Sequence, residues 1–287
     1  MRETLRGLLD LTRPVNAVAA GALTLIGAFI AGVEAGGVSE YPLEAAAATL
    51  ATVFAVGAGN AINDYFDRDI DAINAPERAI PRGAVSARGA LWFSVALFVA
   101  AIALALTLPL LAIAIATFNL VALVVYTEWF KGLPGVGNLV VAYLGGSTFL
   151  FGGAAVHSGQ AGLTTVGVLA ALAALSTFTR EVVKDVEDLA GDREEGLNTL
   201  PIAIGERSAL VVGTVALVVA VLASPVPYVR ETFGLGYLLV VVPADLVMLG
   251  AAAESYSDPT AAQEHLKYGM FLAAAAFVVG RVAPLGL

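Results

Sequence analysis

The 287-residue sequence has no cysteine, two histidines, three lysines, and only 14% charged residues. Without cysteine there is no disulfide, no thiolate nucleophile and no Cys-ligated zinc or iron–sulfur centre. His157 and His265, both expected in loops, are too few for a multi-histidine metal site. A net charge of −9 speaks against a nucleic-acid binder. Lys131, Lys184 and Lys267 stand against twelve arginines, and the acidic, lysine-poor balance suggests a chain adapted to high salt. Soluble domains carry about a quarter charged residues. Here 59% of residues are hydrophobic and the mean hydropathy is +0.85, an excess that belongs in a bilayer.

Charge-free runs mark the crossings, because a charge at the bilayer centre costs about 3 kcal/mol or more. Residues 15–33 and 45–63 give one span each. Residues 89–127, with Pro109 at the middle, give two, and 132–179, split by the polar stretch 157–162, give two more. Residues 208–229, 235–253 and the stretch from Lys267 onward bring the expected total to nine. The first run is too long for the apolar core of a signal peptide and reads as a retained helix. Thirteen of the fifteen Lys and Arg residues then fall on the N-terminal side, which the positive-inside rule assigns to the cytoplasm. Residues 1–287 read as a single all-α transmembrane domain.

What remains polar is concentrated in two places. After the second span comes Asn63-Asp64-Tyr65-Phe66-Asp67-Arg68-Asp69-Ile70-Asp71, and after the sixth Asp185-Val186-Glu187-Asp188-Leu189-Ala190-Gly191-Asp192. Asp64, Asp67 and Asp71 each precede Asp185, Asp188 and Asp192 by 121 residues, in the shared pattern D-x-x-D-x-x-x-D. Four spans lie between the copies, so both emerge on the same face. The chain reads as two parallel four-helix halves plus a ninth helix around a central cavity, an arrangement that places sites at the repeat interface. Spacing i, i+3, i+7 sets three carboxylates on one helix face, and Asn63, Asp67 and Asp71 at i, i+4, i+8 share one as well. One such trio is also what a solvated acidic loop looks like; the matched pair points to a shared ligand. Carboxylates suit hard cations such as Mg²⁺, which bind through one or two of them plus substrate phosphates. Two facing trios therefore suit a Mg²⁺–diphosphate.

Basic residues are interleaved. Arg88, Arg193 and Arg207 fit a topological role, whereas Arg78, Arg82 and Lys131, near glycine or proline turns beside the acids, are candidates for phosphate oxygens. Inside the spans, Asn119 is expected to hydrogen-bond between helices and Asn16 to line a cavity mouth near Arg13. Asp245 is a functional candidate by position, or else a partner for Arg281 or an interfacial residue.

These features resemble the UbiA superfamily of intramembrane prenyltransferases. The likeness covers nearly the whole chain: the twin acidic motifs at 63–71 and 185–192, nine spans, Arg13-Pro14, Glu77-Arg78-x-x-Pro81, and Tyr126 with Lys131. Arg82 departs from it, since related chains often carry a small residue there. The resemblance implies a helical fold whose cavity opens sideways to lipid, with Mg²⁺ and a prenyl diphosphate between the motifs. Residues 180–192 and Thr199-Leu200-Pro201 resemble the branch that forms the second ether bond of archaeal lipids. They imply a geranylgeranyl diphosphate donor and geranylgeranylglyceryl phosphate as acceptor, with no nucleic acid and no obligatory protein partner. An aromatic acceptor, as in quinone, haem or chlorophyll pathways, is the alternative; a secondary transporter is a more distant one. On this reading Asp64, Asp67, Asp71, Asp185, Asp188 and Asp192 are catalytic metal ligands, with Asn63 assisting. Asn63, Arg78, Arg82, Lys131, Tyr126, Arg180, Glu181, Lys184, Asn16 and Arg13 bind substrate. Glu181 is a candidate base, or else a helix-end partner of Lys184 or Arg180. Tyr126, Tyr143, Phe118 and Phe149 are candidates to stabilise an allylic cation, or simply pack.

Overall fold

The computed structural model describes residues 2–33, 37–130, 132–156 and 159–282. Its elements are α1 (Arg2–Leu11), α2 (Pro14–Gly32), α3 (Pro42–Phe66), α4 (Arg68–Asn74), α5 (Ala87–Ala105), α6 (Leu110–Val125), α7 (Val136–Ala155), α8 (Gly159–Glu187), α9 (Leu189–Glu194), α10 (Leu200–Ile204), α11 (Glu206–Ala223), α12 (Val226–Val229), α13 (Leu235–Glu254) and α14 (Pro259–Val282). Among the described residues no strand occurs.

Local chemistry sets the boundaries. Pro14 and Pro42 open α2 and α3 at positions where a missing N–H costs nothing. Ser86 caps α5, its hydroxyl accepting from the Gly89 N–H at 3.1 Å. Pro109 separates α5 from α6, as the sequence indicates. Pro243 lies inside α13 and does not end it.

Among the described residues seven helices are long and apolar enough to cross a bilayer: α2, α3, α5, α7, α8, α11 with its extension to Val229, and α13. Leu110–Val125 is apolar but shorter, at 16 residues. The last helix begins at Pro259, not Lys267, and carries Glu264, His265 and Lys267 in its first turns; His265 is thus helical and not in a loop. His157 lies outside the described residues.

Large apolar side chains point outward around the bundle, among them Trp92, Leu110, Leu222 and Leu239. That is the reverse of a water-soluble surface, and with the seven apolar helices it makes the chain a multi-pass membrane protein. Inside, small residues bring helices together. A Cβ added to Gly152 on α7 would run into the Thr24 carbonyl and Ala28 nitrogen of α2, and one on Gly27 into the Phe149 carbonyl. Beside this crossing the core is aromatic, with Phe149 edge-on to Phe277 at 5.8 Å and Tyr237 stacked on Phe277 at 6.0 Å. Phe149 is therefore a packing residue. Asp245 is buried and accepts from Ser224 Oγ at 2.6 Å, while Arg281 donates to the Thr232 carbonyl at 2.8 Å.

Candidate active site

The two acidic motifs do not lie on continuous helices. The first turns a corner at Asp67, between α3 and α4, and the second at Asp188, between α8 and α9. The two corners have the same backbone: φ −83°, ψ 0° at Asp67 and φ −84°, ψ 1° at Asp188. Hydrogen bonds run through both, from Asp67 N to Asn63 O and Asp71 N to Asp67 O, and from Asp188 N to Lys184 O and Asp192 N to Asp188 O. Each trio thus has one acid on the long helix, one at the corner and one on the short helix. The expected single helical face is replaced by a bend, which neither glycine nor proline announces.

In the first motif, Asp64 and Asp71 are buried and Asp67 is half-buried. Arg13 Nη2 donates to Asp64 Oδ1 at 2.9 Å, and Arg78 Nη1 donates to Asp71 Oδ2 at 2.6 Å while lying 3.6 Å from Asp64 Oδ1. Burial opposes the charge on Arg78, but the hydrogen bond and charge of Asp71, with Asp64 and Asp67, outweigh it and raise its pKa. A single cationic atom between oxygens of two carboxylates occupies the position a divalent cation would suit, and the oxygen-only donor set matches Mg²⁺. Among the described residues no three His, Asp or Glu side chains are gathered closely enough to hold a metal alone. Asn63 and Asn16 are exposed on α3 and α2. Arg82 is turned to α1, donating to Asp10 at 2.6 Å and to the Glu77 carbonyl at 2.7 Å.

The second motif is held differently. Asn138 Nδ2 on α7 donates to Asp185 Oδ2 at 2.8 Å, and Thr199 Oγ1 donates to Asp192 Oδ2 at 3.1 Å. Lys184 Nζ lies 3.5 Å from Asp188 Oδ2, both half-exposed. Arg180 pairs with Glu181 at 2.9 Å. A small polar pocket of about 30 Å³ joins Tyr126, Asn138, Glu181, Asp185 and Thr199. Tyr126 sits in a π-helical turn after α6 (Tyr126–Phe130). Burial, and then the charges of Glu181, Asp185 and Asp192, push its pKa up to about 12, so it is a donor and not a base. Lys131 lies outside the described residues. Asn138 escapes a reading of the sequence, its one signal being an asparagine two residues into an otherwise apolar helix, and Thr199 stands out only as part of the Thr199-Leu200-Pro201 segment, with no role given to it.

From Asn63 and Phe66 an apolar cavity of about 500 Å³ runs between α3, α5, α6 and α7 down to Ala51, Leu106 and Phe151. Asn119 lines it with a buried Oδ1 that has no partner, in place of the expected interhelical bond. Phe118 lies outward on α6, 5.4 Å edge-on from Tyr143. The site is thus acidic and arginine-rich at one end, with a hydrocarbon-lined cavity leading from it.

Residues 20–275 match the UbiA prenyltransferase family. Digeranylgeranylglyceryl phosphate synthase of Natronomonas pharaonis is 63% identical over 281 residues, spanning 98% of this chain and 99% of that one. The synthase of Halobacterium salinarum is 62% identical over 280 residues, with the same coverage. A solved structure of digeranylgeranylglyceryl phosphate synthase in membranes superposes with a TM-score of 0.79 at 33% identity, over 98% of this chain and 99% of that one. A UbiA homologue from Archaeoglobus fulgidus bound to GPP and Mg²⁺ shares the fold at 18% identity and a TM-score of 0.64, over 96% and 99% of the two chains. On fold, motif and full-length similarity alike, the chain belongs to the UbiA prenyltransferase family.

Proposed function

We propose that this chain transfers a geranylgeranyl group from geranylgeranyl diphosphate to geranylgeranylglyceryl phosphate, forming the second ether bond of an archaeal membrane lipid. The observation that carries the acceptor is the identity of 62–63% over nearly the full length of both chains to synthases of that name. The two acid corners of matching backbone, with an apolar cavity leading from the first of them, support the chemistry independently.

The allylic C–O bond of the donor breaks, diphosphate leaves with the electron pair, and the acceptor hydroxyl oxygen bonds to the allylic carbon. Asp64, Asp67, Asp71, Asp185, Asp188 and Asp192, with Asn63 assisting, would hold Mg²⁺, which would neutralise the charge of the leaving group. Arg13 and Arg78 exchange their carboxylate partners for diphosphate oxygens, with Lys184 and Lys131 contributing further positive charge. The cavity excludes water from the allylic cation. Glu181 takes the hydroxyl proton, and Tyr126 donates a hydrogen bond within the polar pocket. Arg82 acts indirectly, by tying the loop after α4 to α1.

The whole chain forms one domain of nine spans in two parallel four-helix halves plus α14, with α6 and the stretch from Lys267 onward as the two crossings of lower apolarity. The N-terminus and both acid motifs face the cytoplasm, as the placement of Lys and Arg indicates. Membranes containing the protein, given geranylgeranyl diphosphate with geranylgeranylglyceryl phosphate and an aromatic acid in competition, should yield only the diether phosphate by lipid mass spectrometry. Prenylation of the aromatic acid instead would overturn the acceptor assignment.

A further inference from the structure

Where α8 packs against α14, Arg180 has a divided guanidinium. Nη1 donates to Glu181 Oε1 at 2.9 Å, Nη2 donates to Gln263 Oε1 at 3.0 Å, and Nε is buried with no partner. One turn further along α14, Lys267 is half-buried and makes no ion pair or hydrogen bond among the described residues. Residues four apart on a helix share a face, with Cβ atoms about 6 Å apart. Lys267 therefore stands on the face that brings Gln263 to Arg180. A lysine that only set topology would sit in the loop and reach water. This one lies eight residues into the helix, about 12 Å along it. Two cationic groups with donors to spare, one of them paired to a residue of the polar pocket, Glu181, describe an anion seat.

We propose that Arg180 and Lys267, with Gln263 positioning the guanidinium, hold the phosphate monoester of the acceptor; this assignment rests on the function proposed above. Glu181, the partner of Arg180, lines the pocket that also contains Asp185 and Tyr126. A phosphate seated on Arg180 directs the glycerol carbons over Glu181 and brings their hydroxyl to the proton acceptor. The seat selects a phosphorylated lipid, because an acceptor without phosphate leaves two cations unanswered.

The test uses the full-length enzyme in phosphatidylcholine nanodiscs, which contain no anionic lipid. Lys267→Met and Gln263→Ala should raise KM for geranylgeranylglyceryl phosphate about tenfold or more, and leave KM for geranylgeranyl diphosphate within about twofold. Lys267→Arg should restore the acceptor KM. With unphosphorylated geranylgeranylglycerol, Lys267→Met should not lower kcat/KM and should raise it, because one unanswered cation is gone. An unchanged acceptor KM, equal rises for donor and acceptor, or an effect seen only when anionic lipid is added would overturn the seat. A wild-type enzyme inactive on the phosphorylated acceptor would sink the proposed function, and the seat with it, before any variant is made.

Discussion

Arg13 reaches Asp64 from a backbone that L-residues rarely adopt: φ is 47° and ψ 67°, immediately before Pro14, and the guanidinium lies 2.9 Å from the carboxylate. Left-handed backbone at a non-glycine residue costs about 1 kcal/mol or more, and here it aims a cation at a buried acid. Arg13→Gly and Arg13→Ala should both raise KM for the diphosphate donor about tenfold. Glycine relieves the backbone and alanine does not, so Arg13→Gly should unfold at the higher temperature. Equal activity losses with unequal melting points would separate the two contributions.

Asp67 and Asp188 occupy the corners, half-buried and exposed respectively, and neither belongs to the core. Asp67→Ala or Asp188→Ala should lower kcat at least about a hundredfold, while membrane insertion and melting temperature stay near wild type. Near-normal turnover in both would contradict the role given to the trios.

Diphosphate release should stop on addition of EDTA and return with Mg²⁺ in excess. A direct readout is donor binding without acceptor: affinity for geranylgeranyl diphosphate should fall about tenfold or more without divalent cation.

The exposed pair Glu254–His265, 2.6 Å apart, ties the end of α13 to the start of α14. The hydrogen bond to Glu254, and then its charge, raise the pKa of His265 above the usual 6.5. Because the folded value lies above the unfolded one, the stabilisation is complete below about 6.5 and fades as pH rises through the raised value. NMR titration in a His157→Gln background should report the elevated value, and Glu254→Gln should return it toward 6.5.

Gly152→Ala should destabilise the protein by about 1–3 kcal/mol, because its new Cβ meets α2 backbone. Gly167→Ala on α8, where nothing lies within 4 Å of the added carbon, should be neutral or slightly stabilising. Melting curves in one detergent compare the two.

Seven of the nine expected spans were legible as long apolar helices, because charge is excluded from hydrocarbon, which leaves runs that can be counted. The start of α14 was not, because Glu264, His265 and Lys267 fall within its first turns, where partners and the helix end accommodate charge. The acid trios could be read from their spacing, as could Arg78 beside them. The corners at Asp67 and Asp188 could not, since the backbone bonding continues through them and leaves no breaker residue. Asn138 is 47 positions from Asp185, and only the packing of α7 on α8 brings them together.

The corners at Asp67 and Asp188 match in backbone but not in surroundings. Because the same backbone angles recur at Asp67 and Asp188, the two trios bend alike while the side chains beside them differ. One copy faces guanidinium groups from Arg13 and Arg78; the other rests on the amide of Asn138 and the hydroxyl of Thr199. The same backbone thus sits in two unlike polar settings.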